Sequence, residues 1–173
     1  MKKPALKWVI VAILILFIGY SGFATYNWLE SERTENLARN DAVDLSDILL
    51  WELSDAGSVA EYLIGSNATD ELLNERIHQY FCHARTLSYS SSMLQALTIG
   101  EKYSLLGTAM RDLQTFLVAI GNHEPGDAEE ALATNLDALK QMDGILGRVL
   151  RIDNLTLADA QNLLELAGNL TAG

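Results

Sequence analysis

A chain of 173 residues with a single cysteine, Cys82, is long enough for one domain with a sizeable core but has no internal disulfide framework, so packing must hold the fold. The formal charge is −11, and because Lys2, Lys3 and Lys7 precede a long apolar stretch, the remainder carries −14, which is −11 less those three. So acidic a surface argues against nucleic acid and against anionic headgroups as partners, and leaves cations or basic groups as the compatible ligands.

The apolar stretch is Trp8 to Tyr26, WVIVAILILFIGYSGFATY, without one charged side chain. At ~1.5 Å of rise per residue it makes a helix roughly 28 Å long, close to the ~30 Å hydrocarbon core of a bilayer. Every Asp and Glu lies at Glu30 or later, so the basic residues before the stretch place the N-terminus in the cytoplasm. The competing reading is a secretory signal cut after Ala24, with Gly22 at the minus-three position. The length of the stretch, and aromatic residues at both ends in Trp8, Tyr26 and Trp28, favour an uncleaved signal-anchor. The expected organisation is a cytoplasmic basic N-terminus (1–7), a transmembrane signal-anchor helix held in lipid (8–26) and an extracytoplasmic acidic helical bundle (27–173), a single-pass protein of the cell membrane.

Pro is absent between Pro4 and Pro125, so the anchor helix is expected to run on into the exported domain. Glu30 to Asn40 is mostly polar and reads as a stalk. Leu45, Leu49, Leu53, Ala56, Ala60 and Leu63 then form a core-facing stripe, weakened locally by Gly57, and Gly65, Ser66 and Asn67 end the helix. A second helix starts near Thr69, with the seam Leu73, Ile77, Tyr80, Ala84, Leu87, Ser91 and Leu94. Ser90, Ser91 and Ser92 could permit a break but also suit a close approach of helices, so the helix is expected to continue, and Gly100 is the expected turn. A third helix, Lys102 to Ile120, buries Leu106, Ala109, Leu113, Phe116, Leu117 and Ile120. After the loop Gly121 to Gly126, an acidic capping box of Asp127 and Glu130 opens a fourth, Ala128 to Arg151, with Leu132, Leu136, Leu139, Met142, Leu146 and Leu150 inside. Thr156 and Asp159 cap a short last helix carrying Leu157, Ala160, Leu163, Leu164 and Ala167. The fold class is all-α: an up-and-down bundle of about four helices plus a short C-terminal one.

Candidate chemistry is sparse. His78 and Cys82 lie four apart on one helix, the spacing by which two side chains share a metal, with His83 pointing aside and His123 in a loop. A third ligand would have to come from elsewhere, and no cofactor is expected. Cys82 is also a candidate for a disulfide between subunits. Asp41, Asp44 and Asp47 make a diffuse carboxylate strip without the ligand spacing of a calcium loop, and the acids around Asp127 are accounted for by a helix start. Asn67, Asn154 and Asn169 open Asn-x-Ser/Thr triplets, which permit glycosylation where the host has the machinery. No nucleophile elbow, phosphate-binding glycine loop or zinc-protease helix is present, so an enzyme is not expected.

Two stretches are apolar on more than one side. Leu50 and Trp51 on the first helix, and Tyr89 and Met93 on the second, are candidate partner-interface residues, for a homodimer or for another membrane protein. The leading expectation is a membrane-anchored interaction or accessory subunit. The alternative is a ligand-sensing bundle that signals through a partner: long helical bundles outside a membrane resemble, in architecture, the extracytoplasmic modules of chemoreceptors and sensor kinases. Those modules are commonly bracketed by two spans, whereas Arg111 and Asp112 interrupt Leu105 to Ile120 here. A metal-binding module using His78 and Cys82 ranks below both.

Overall fold

The computed structural model describes residues 3–122 and 126–172, with side chains from Tyr20 onward, and every regular element in them is helical. The helices are α1 (Lys3–Leu53), α2 (Ala56–Gly65), α3 (Asp70–Thr98), α4 (Glu101–Gly121), α5 (Asp127–Val149) and α6 (Leu157–Gly168), with a 3₁₀ turn at Ile152–Asn154. The chain divides into a unit ending at Ala38 and a second from Arg39 to Gly173. In the first, the side chains from Tyr20 to Leu37 are all exposed. Among the described residues no helix is long and apolar enough to cross a membrane. The expected anchor, Trp8 to Tyr26, lies within α1, but the side chains of residues 8–19 are outside those described.

The second unit is the helical bundle. The expected seam of α3 is buried throughout, as is the expected face of α4, to which Tyr103 and Met110 add further core. The serines of α3 do not break it. Gly107 of α4 brings the two backbones together there: a Cβ at that position would lie 3.5 Å from the Ser88 carbonyl and 3.6 Å from Ser92 Oγ, and Ser88 Oγ donates to the Gly107 carbonyl at 2.9 Å. Helix α6 covers α4 from the other side, and Lys102 Nζ donates to the carbonyls of Asp153 and Leu155, fixing the connection before α6. Asn135 performs the same service at the C-terminus, its Oδ1 accepting from Thr171 N–H at 3.0 Å while its Nδ2 donates to the Thr171 carbonyl.

The expected single helix, running on from the apolar stretch to a stop at Gly65, is in fact two. It breaks at Ser54 and Asp55, and the cause is tertiary. Gly57 sits against the backbone of α5, where a Cβ would fall 2.5 Å from Lys140 N and 2.6 Å from Leu139 C. The Asp143 carboxylate then accepts from Gly57 N–H at 2.9 Å, Ser58 N–H at 2.8 Å and Ser58 Oγ at 3.1 Å, capping α2 from another helix. Tyr80 Oη adds a donation to Asp55 at 2.9 Å, and Lys140 pairs with Glu61 at 2.9 Å. The glycine taken as a weak point is the residue that permits the contact.

Three expected core residues fall outside the core: one beside the inner face of its helix and two at helix ends. Leu45 is exposed because Ala42, Ser46, Leu49, Leu50 and Leu53 form the inner face of α1. Leu150 ends α5 in the left-handed region at φ 45 rather than continuing it, and Leu157 opens α6 facing solvent. The acidic capping box at Asp127 does not form: Gly126 is the N-cap, at φ 89, with no side-chain bond. The box of Thr156 and Asp159 does form, with both reciprocal bonds present.

Candidate functional site

The bundle satisfies its own interior and leaves an apolar face outside. On α1, Leu49, Leu50 and Leu53 fill the core, while Ile48 and Trp51 on the same turns are exposed, Trp51 to 63 %. A helix of 3.6 residues per turn cannot bury four successive apolar residues against one neighbour, so two of the four in Ile48–Trp51 face away. Leu50, expected at a partner interface, is one of the two that point inward and is fully buried; it is a packing residue. Ile48 takes its place on the outer face.

Helix α3 lies beside α1, joined by a bond from Ser46 Oγ to Ser90 Oγ at 2.9 Å, buried and capable of satisfying both hydroxyls. Tyr89 and Met93 flank Ser90 and are exposed, as are Leu45 and Ile48 on either side of Ser46 along the other helix. Tyr89 is partly covered by Arg85, whose guanidinium carbon lies 5.8 Å from the ring centroid. The structure thus keeps Trp51, Tyr89 and Met93 at the surface and replaces Leu50 by Ile48 and Leu45. Around the α1 face stand Asp41, Asp44 and Glu52. The ion pairs of the described residues use Asp47, Glu61, Asp153 and Asp159 instead, so these three carboxylates have no cationic partner among them.

His78 and Cys82 do converge, with Sγ 3.7 Å from Nε2 on the solvent side of α3. His78 stacks on Phe81, and His83 turns away to meet Tyr80 edge-on at 6.4 Å, half-buried. Among the described residues no third His, Cys, Asp or Glu joins the pair to make a metal-binding group; His123 lies outside them. His78 also lines a crevice of about 180 Å³ between α3 and α4, floored by Ile77, Phe81 and Leu117. Asn67, Asn154 and Asn169 are all exposed, Asn67 in the left-handed region at φ 47 within the turn before α3.

Two perturbed groups meet at the start of α2. Burial raises the Asp143 carboxyl above its ordinary range, against the lowering effect of the three bonds it accepts. Burial likewise raises the Tyr80 hydroxyl, reinforced by its bond to Asp55, so it stays protonated and remains a donor. This network holds a helix end; the cavity that Tyr80 also lines is about 30 Å³ and walled by apolar side chains such as Leu63, Leu113 and Leu139. A second feature invisible in the spacing is a groove of about 500 Å³ between α5 and α6, lined by Gln141, Gly144, Arg148, Asn162 and Glu165. Compared with protein-family models, curated proteins and solved structures, the chain matches none.

Proposed function

We propose that this protein is a membrane-anchored, extracytoplasmic helical bundle that works by binding, as an interaction or accessory subunit. The observation that carries the reading is the outer face of α1, where Ile48 and Trp51 stay in water although their neighbours Leu49 and Leu50 complete the core. Large apolar side chains grouped on a face that the fold does not need are the mark of an interaction surface, and tryptophan is the residue most enriched among those that dominate binding. The charge-free stretch from Trp8 to Tyr26, preceded by Lys2, Lys3 and Lys7, supports the anchor and its orientation.

The test has two arms. Protease added to intact cells should remove the region beyond Trp28, and the intact mass from the membrane fraction should include residues 1–24; a protected body or a cut after Ala24 overturns the topology or the tether. A photo-crosslinking residue at position 51 should give a discrete adduct in cells, while the same residue at Glu129 should not. Equal or absent adducts at both positions overturn the binding reading.

A second reading, ligand sensing, is favoured by the groove between α5 and α6. Its size is that of a small-molecule site, and it offers a guanidinium, a carboxylate and three amides in Arg148, Glu165, Gln141, Asn162 and Asn169. Free amino acids carry the complementary pair of charges. A rise in Tm on adding any of them, lost in Arg148→Ala, is the expected result, and no shift across the full set removes this reading.

A further inference from the structure

The face on α1 has a pattern of its own. Asp41, Leu45, Ile48 and Glu52 recur at four, three and four residues, and Asp44, Ile48 and Trp51 at four and three. Both series run along the outward face of the helix and share Ile48. The middle of the stripe is therefore apolar and its ends are acidic, over roughly 18 Å of helix. All of it belongs to the second unit, and the opposite side of the same turns is held by Ala42, Ser46, Leu49 and Leu53 in the core. A surface backed this way is already ordered before anything binds, which lowers the cost of binding.

We propose that the outward stripe of α1 from Asp41 to Glu52 docks a basic amphipathic helix of a partner protein. The inference rests on the binding reading above and names the partner's chemistry. An extended peptide has nothing to pair with here, because the backbone groups of α1 are spent within the helix, so recognition must run through side chains. Ridges at three and four residues fit the grooves of another helix. The charge follows from the rim: Asp41, Asp44 and Glu52 have no cationic partner among the described residues, and Lys or Arg on both ends of an apolar helical face would supply one. Arg39, Arg148 and Arg151 are already paired, with Asp153, Asp159 and Asp47.

A second copy of this chain is the weaker occupant. Laid parallel, two stripes bring Asp41 onto Asp41 and Glu52 onto Glu52; laid antiparallel, they bring Asp41 onto Glu52. Either way like charges meet at both ends of the contact, on bodies that each carry −14 past Lys7, which is the chain's −11 less three lysines.

The experiment uses the full-length protein in phosphatidylcholine nanodiscs and a fluorescein-labelled, four-turn synthetic helix with a Leu face flanked at both ends by Lys. Controls are the same peptide with Glu for Lys, and one of identical composition with Leu and Lys shuffled so that no face forms. The Leu/Lys helix should bind saturably above empty nanodiscs, and the controls should not. Ile48→Ala and Trp51→Ala should each weaken binding roughly ten-fold. Asp41→Asn with Asp44→Asn should also weaken it and flatten its salt dependence. Glu129→Gln with Glu130→Gln, an equal loss of charge on α5, should change nothing.

Equal binding of the shuffled peptide, equal effects of the two charge pairs, or unaltered affinity in Trp51→Ala overturns the proposal. So does self-association of the unliganded protein that Trp51→Ala abolishes. Because Asp41, Asp44, Ile48 and Trp51 are exposed and the charge pair is an independent arm, misfolding of one variant leaves the test intact. Crosslinking at position 48 in cells separates the two levels: an adduct with a partner lacking a basic helix ends this inference and spares the binding reading, whereas no adduct ends both.

Discussion

Gly57 and Asp143 hold the break between α1 and α2. Replacing Gly57 by Ala puts a methyl carbon 2.5 Å from Lys140 N, which is backbone and cannot swing aside. Gly57→Ala is therefore expected to destabilise by about 2 kcal/mol or more despite alanine's better helix propensity, measured by chemical denaturation. Asp143 carries a pH signature whose sign can be worked out. Its folded pKa is raised above the unfolded value, mainly by burial, so the folded state holds the proton more tightly. The stabilising contribution is fully present below the unfolded pKa of about 4 and is lost as pH rises through the raised folded value. Asp143→Asn loses one of the accepted N–H bonds and should lie below the wild type, but the gap should narrow as pH climbs from about 4 through that window. A gap that widens with pH would contradict the assignment.

At the scale of the element, helix ends decide more than helix middles. Ile99 ends α3 at φ 53 with 92 % of its surface exposed, a conformation that costs a β-branched residue and a burial that returns nothing. Ile99→Gly should raise stability by about 1 kcal/mol, a shift of some 2–4 °C in Tm for a domain of this size. Thr156→Ala removes one half of the capping box of α6 and should cost about 1 kcal/mol in the same assay. These ends also mark the limit of what the sequence could tell. Periodicity located the buried faces of α3 and α4 residue by residue, because a stripe over many turns averages out local noise. It does not separate out Leu45, which lies to the side of the inner face of α1, Leu150, one residue past the end of α5, or Leu157, the first residue of α6. It also read Gly57 as a flaw, since the reason for that glycine lies in α5. The candidate interface is legible as a surplus of apolar residues at Ile48 to Trp51, but which of them face inward depends on where α3 and the α5–α6 connection sit, and so spacing alone does not show that Leu50 is buried. The groove between α5 and α6 left no signal in spacing at all.

Taken as a whole, the molecule is a strongly acidic body with few ion pairs, four among the described residues, all between partly exposed side chains. Such pairs contribute little, while the uncompensated carboxylates repel one another. Added NaCl should therefore raise Tm, and Asp41→Asn with Asp44→Asn should reduce that slope; a Tm that falls with salt would show that the pairs outweigh the repulsion. The cap on α2 has a further implication for how the chain is made. Its carboxylate is translated 86 residues after the amide it accepts from, so the amino-terminal half, as it emerges from the ribosome, holds an open helix start with no way to close it. The bend between α1 and α2 is a late event of biogenesis, and any product cut short before Asp143 would reach its destination with that joint unset.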